Sequence, residues 1–205
     1  MANLALEREL YGQAERLFTT VLKRLISDGE AEDSNAVVEI SLKLAQIFHR
    51  KGEREKAEKG LQFCVDTQRK KVRGKDIKRK EDTKALLGIA LDMQGQFLLS
   101  LGRMGEAEQC WREAVEVARE VLGEEEDQLL VVTNSLATVL SMTGREEEAG
   151  RMLEAVVSTA ERIRSDNLPS FLVNLGLVRL KQVQYSTVQY STVQYCTVQY
   201  CTTVQ

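Results

Sequence analysis

Histidine, proline and tryptophan each occur once in the 205 residues, as His49, Pro169 and Trp111, and aromatic side chains make up only 5%. The single histidine leaves an acid–base pair, or a metal site built on histidine, with His49 or nothing. His49 lies beside Arg50 and Lys51 at the end of a helical pattern and has no partner in sequence, so it reads as a surface residue. No cysteine pair has zinc spacing and no glycine-rich phosphate loop occurs. No catalytic residue, cofactor or metal is therefore expected. The scarcity of aromatics disfavours sheet, which draws on aromatic and β-branched residues, and a lone proline permits long helices.

Long hydrophobic runs are missing too. The longest, Ala85–Leu91, falls far short of the roughly 20 residues that cross a bilayer. No charged leader followed by an apolar core opens the chain. The net charge of −3 steers toward neither nucleic acid nor an anionic membrane. Arg69–Lys84 is rich in lysine and arginine, but no aromatics are interleaved for base stacking, so it reads as a solvated helix end. Glu124–Asp127 opens a helix, where its charge suits the N-terminus. Cys64 and Cys110 fall inside apolar helical patterns, and all four cysteines are read as reduced.

What is present is a repeat. A leucine or glutamine followed by a small residue recurs at Leu44-Ala45, Gln94-Gly95, Leu136-Ala137 and Leu175-Gly176. Three residues after the small one stands Phe48, Leu98 or Leu140, and seven after it Gly52, Gly102 or Gly144. Twelve after it stands Ala57, Ala107 or Ala149, then four further on Leu61, Trp111 or Leu153, and three beyond that Cys64, Ala114 or Val156. The N-terminus follows with Ala2, Ala5, Ala14, Phe18 and Val21, and has Glu9 where glycine is expected. Small residues let two antiparallel helices approach, large ones fill the groove beside them, and glycine ends the first helix in a left-handed conformation. Trp111 repeats a packing position and is expected in the core.

These offsets match the tetratricopeptide signature, so the expected fold is all-α, a superhelical solenoid of antiparallel helix pairs. The pattern predicts helices near 1–9, 13–27, 34–51, 53–73, 79–101, 104–122, 126–143, 146–164 and 169–181. Asp33 or Ser34 is placed to cap the third, and Pro169 suits the first turn of the last.

The repeat domain is expected over 1–182, as about four hairpins and a truncated fifth. Residues 183–205 repeat Val-Gln-Tyr-Ser-Thr, and five is the period of no regular element. The nucleotide unit ACAGT, read through its three frames, spells Thr-Val-Gln-Tyr-Ser, so this tail reads as disordered or as a translated microsatellite. Without a hairpin partner for the last helix, Leu172, Val173, Leu175 and Val178 are expected to lose part of their cover.

The functional surface is expected along the first helix of each hairpin, where Gln46, His49, Asp92, Gln96, Asn134, Thr138 and Ser141 point away from the hairpin contact. Such a polar groove suits an extended or helical peptide. Met1–Ala5, Ala14–Phe18, Asn35–Ala45, Phe63–Asp66, Leu86–Asp92 and Ser135–Leu140 resemble a mitochondrial tetratricopeptide-repeat family of respiratory complex III assembly factors. That resemblance implies a non-catalytic scaffold at the mitochondrial inner membrane, with complex III subunits including the Rieske iron–sulfur protein as partners and clearance of Rieske fragments as its task. It implies membrane association only through a partner or a more N-terminal region, since the family begins before this Met1 with a presequence. The alternative is a generic adaptor that, like kinesin light chain, binds cargo peptides. A chaperone clamp, which sets asparagine after the small residue of its first helices, is not expected, because Asn3, Gln46, Gln96 and Thr138 stand there.

Overall fold

A computed structural model describes residues 2–74 and 80–184, and every described element is an α-helix. The chain divides into two compact units, 1–124 and 125–205. The first holds α1 (Ala2–Glu7), α2 (Tyr11–Ser27), α3 (Asn35–Arg50), α4 (Arg54–Arg73), α5 (Lys80–Ser100) and α6 (Met104–Leu122). The second holds α7 (Asp127–Met142), α8 (Glu146–Ile163) and α9 (168–184). The helices fall within a few residues of the expected ones. Ser34 caps α3 by accepting from the Val37 N–H, and Pro169 lies in the first turn of α9. Val183 and Gln184, at the start of the expected tail, are helical, and the remainder of that tail lies outside the described residues.

The first helices α1, α3, α5 and α7 end by the same device. Gly52, Gly102 and Gly144 have φ of +76°, +74° and +82°, and Glu9 adopts +57° at the equivalent position. The next residue then donates its N–H five residues back, from Leu10 to Ala5, Glu53 to Phe48, Arg103 to Leu98 and Arg145 to Leu140. This closure satisfies carbonyls the helix leaves open and turns the chain back on itself.

Behind these turns the small and large positions interlock. Ala14, Ala57, Ala107 and Ala149 are fully buried, and so are Leu61, Trp111 and Leu153. A β-carbon on Gly60 would stand 3.1 Å from that of Ala45, and one on Gly95 would stand 2.7 Å from the Trp111 indole. These are the close approaches the sequence pattern calls for. Gln94 departs from the leucine of its position and is nonetheless buried. It donates to Gln62 Oε1 at 3.0 Å, and its own Oε1 accepts from the Cys110 thiol at 3.4 Å.

Two expectations of burial need correction. Val21 is exposed although Cys64, Ala114 and Val156 at its offset are buried. α1 has only six residues against the seventeen of α2, which leaves Val21 without the cover that a longer first helix would give it. On α9, Leu172 and Val173 are exposed and Leu175 half-buried, in line with a partial loss of cover, but Val178 is buried. Val178 approaches Gly150 on α8, while Leu175 and Phe171 pack with Leu130, Val156 and Ala160.

Candidate functional site

The first helices α3 and α5 pack side by side in the first unit. Between them lies a hollow of about 480 Å³, whose walls include Glu39, Leu42, Lys43, Asp82, Ile89 and Met93. A second hollow, of about 430 Å³, lies between α3 and the first hairpin and is lined by Asn3, Glu7, Glu9, Lys43, Gln46 and Arg50, among others. Lys43 borders both. Ile89 is about half exposed, so the hollow between α3 and α5 offers an apolar wall with charges of both signs at its margins.

Of the residues expected on this face, Gln46 lines the hollow beside the first hairpin, and Gln96 is exposed. His49 meets the edge of Phe97 at 5.2 Å between centroids and 89° between planes, and its Nε2 lies 3.2 Å from Ser100 Oγ. Burial, then the charge of Arg50, lowers its pKa, which favours the neutral ring. Asp92 accepts from Trp111 Nε1 at 2.8 Å and from Gln96 Nε2 at 2.9 Å. Burial raises its pKa, and the two hydrogen bonds work against that rise. His49 and Asp92 thus spend polar atoms on neighbouring side chains.

In the second unit α9 supplies similar partners. Asn134 Oδ1 accepts from Asn174 at 2.9 Å, and the Thr138 hydroxyl donates to the Asn134 carbonyl at 2.8 Å. Ser141 is buried, and its hydroxyl and carbonyl oxygens accept from Lys181 Nζ at 3.3 and 3.2 Å. One rule links the two units. The residue four after the small one in a first helix meets the residue five after it in the following first helix, as His49 meets Ser100 and Ser141 meets Lys181.

Glu39, Lys43, Ile89 and Met93 are wall residues the sequence reading left out. They lie six and two places before Ala45 and Gly95, on the same helical face as Gln46 and Gln96. Extending that face by one more turn toward the N-terminus would have found them.

The basic stretch is partly spent inside the fold. Arg69 grips Glu113 through two bonds of 2.9 and 2.5 Å, Lys71 donates to Asn35 Oδ1 at 2.6 Å, and Lys84 pairs with Glu120. Residues 75–79 of the run lie outside the described residues. In the acidic run, Glu125 pairs with Arg162, and Asp127 in the first turn of α7 accepts from Ser165 and Asn167. Cys64 and Cys110 are free thiols, and burial pushes them up to about 12 and about 11. Among the described residues no cluster of histidine, cysteine or carboxylate could hold a metal, and no helix is long and apolar enough to cross a membrane.

Residues 83–162 match the tetratricopeptide repeat family. The chain is 38% identical to tetratricopeptide repeat protein 19, mitochondrial, of Danio rerio over 73% of its length and 39% of that protein. It is 34% identical to the protein of the same name from Homo sapiens, over 87% of this chain and 49% of the relative. A Drosophila melanogaster homolog is 31% identical over 88% and 49%. The chain thus spans about half the length of the curated relatives it matches or less. Among solved structures, nearly identical repeats of a Podosopora anserina putative kinesin light chain superpose with a TM-score of 0.68 at 18% identity, covering 100% of this chain and 93% of that one. The apo form of RapI superposes with a TM-score of 0.71 at 13% identity, covering 92% and 49%. At these identities the structural likeness shows the fold alone.

Proposed function

We propose that the chain, whose residues 83–162 match the tetratricopeptide repeat family and which is similar to tetratricopeptide repeat protein 19, is a non-catalytic scaffold for assembly and maintenance of mitochondrial complex III. In this role it holds complex III subunits, the Rieske protein among them, and helps clear Rieske fragments at the inner membrane. The relatives' mitochondrial names support that location. The observation that carries the reading is sequence similarity at 31–38% across most of the chain.

The binding surface we propose is the face of α3 and α5 around Lys43, extended by the groove residues Gln46 and Gln96. Leu42, Ile89 and Met93 can receive an apolar side chain, while Glu39, Asp82 and Lys43 can select charges on either side of it. Thr138 and, one turn before it, Asn134 are proposed as groove positions of the second unit; Ser141, expected there from the sequence, is buried and held by Lys181 and faces no partner.

The test is capture from detergent-solubilised mitochondria with the chain and with its Lys43→Glu and Ile89→Asp variants. Recovery of complex III subunits by the parent, lost in both variants while their helicity holds, supports the proposal. Recovery of kinesin heavy chain or chaperone tails in place of complex III would sink it and favour the generic adaptor.

A further inference from the structure

Gln94 breaks the repeat it belongs to. Leu44, Leu136 and Leu175 stand at the same offset, yet Gln94 is only 8% exposed, a depth at which an amide is costly unless its polar groups are met. It donates one N–H to Gln62, and its oxygen accepts from the Cys110 thiol, a weak donor. An amide has two N–H bonds and two lone pairs, so among the described residues one of each is left over. Gln94 borders a hollow of about 260 Å³ between α4 and α6, the second helices of neighbouring hairpins. This hollow shares no lining residue with the two beside α3.

We propose that it is a separate binding site, for an extended peptide segment whose asparagine or glutamine side chain pairs with Gln94. A carboxamide offers one donor and one acceptor, the two groups Gln94 has left over. A carboxylate offers no donor and an ammonium no acceptor. The charges of the hollow select neither ion, because they are spent on one another. Arg69 holds Glu113 across one end, and Arg103 holds Glu58 and Glu106 at the other. From Glu58 to Arg69 is eleven positions of α4, or about 16 Å, the span of about five extended residues. On the opposite walls Gln62 and Gln109 are exposed, and Gln109 has no hydrogen-bond partner among the described residues. Both amides can serve the peptide backbone, while buried Leu61 and Phe97 lie against the stems of its side chains. The site does not depend on the partner held by α3 and α5.

The test is a titration of the nitrogen-15-labelled whole chain with a blocked pentapeptide, Ser-Ala-Gln-Ala-Ser, followed by nuclear magnetic resonance. Saturable shifts of the Gln94 side-chain amide and of the Gln62 and Gln109 backbone amides are expected. Peptides with glutamate or lysine at the centre should bind at least ten-fold more weakly. Gln94→Leu restores the leucine of the other repeats and should lose the shifts at Gln62 and Gln109 with helical circular dichroism unchanged. Gln109→Ala changes an exposed position, so it keeps the core intact and should weaken binding several-fold. A parent without saturable shifts, charged peptides that bind as tightly as the glutamine peptide, or undiminished affinity in either variant would overturn the proposal.

Discussion

The indole of Trp111 lies so close over Gly95 that a β-carbon there would stand 2.7 Å from Cε2 and 2.9 Å from Cδ2. Trp111 is almost fully buried and cannot back away. Gly95→Ala should therefore destabilise the fold by about 1–3 kcal/mol, the usual cost of overpacking. Gly88 sits on the same helix, where a β-carbon would make an ordinary 3.5 Å contact with Val117. Gly88→Ala should be stabilising by about 0.5–1 kcal/mol through helix propensity. Urea titrations followed by Trp111 fluorescence decide both, and a Gly95→Ala variant as stable as the parent would refute the close approach.

The same tryptophan donates to Asp92, and that carboxyl gives a pH signature. Burial raises its pKa in the folded state, so folding is favoured when Asp92 is protonated. Its contribution is fully present below the ordinary aspartate pKa and is lost as pH rises through the raised value. Asp92→Asn keeps an oxygen for the indole and cannot ionise. The stability of the parent minus that of the variant should fall with rising pH across this window and then level off. A flat difference would show that Asp92 titrates alike in folded and unfolded chains. Glu53 and Glu106 are shifted the other way by their cationic neighbours and shape the overall acid response, but they cancel in the difference.

Glu9 occupies the left-handed position that glycine fills in Gly52, Gly102 and Gly144. Left-handed backbone costs an L-residue about 1–2 kcal/mol, and glycine very little. Glu9→Gly should stabilise the chain by about 1 kcal/mol, less the greater freedom glycine has when unfolded, and Gly52→Ala should destabilise it by a similar amount. Thermal melts of the two variants should move in opposite directions.

The helix ends and hairpin contacts were legible because they depend on residues at fixed offsets within one unit: glycine for a left-handed turn, alanine where two backbones approach. The binding face was less so. Whether Asp92 faces solvent or an indole depends on Trp111, a residue of the next helix whose orientation no offset within α5 encodes. His49 and Ser141 likewise meet partners from the following first helix, which depends on how successive hairpins stack. Val21 shows the limit from the other side. Its offset was correct, but burial also needs a partner helix long enough to reach it.

Cys64 and Cys110 should resist thiol reagents in the native protein. The thiolate is the reactive form, and a pKa pushed up to about 12 leaves Cys64 on the order of a thousandfold less thiolate than an ordinary cysteine near pH 8. In a variant with Cys196 and Cys201 replaced by serine, both thiols should remain unlabelled at pH 8 until urea unfolds the chain. Rapid native labelling would mean that the hairpins open far more often than their packing implies.

Gln68 offers a chance to stabilise the chain by removing a polar group. It is fully buried, its Nε2 donates to Asn35 Oδ1 at 3.2 Å, and its own Oε1 has no hydrogen-bond partner. An unmet buried acceptor costs about 1–3 kcal/mol, more than one neutral hydrogen bond returns. Asn35 Oδ1 does not rely on Gln68, since Lys71 Nζ donates to it at 2.6 Å. Leucine nearly matches the volume of glutamine and brings no acceptor. Gln68→Leu should therefore be neutral or stabilising by up to about 2 kcal/mol. Gln68→Ala removes the same acceptor but opens a cavity between α3 and α4, and should cost about 2 kcal/mol or more. The pair separates the two effects in one urea titration. If leucine destabilised as much as alanine, the amide would be holding the hairpin together through bonds stronger than its geometry allows.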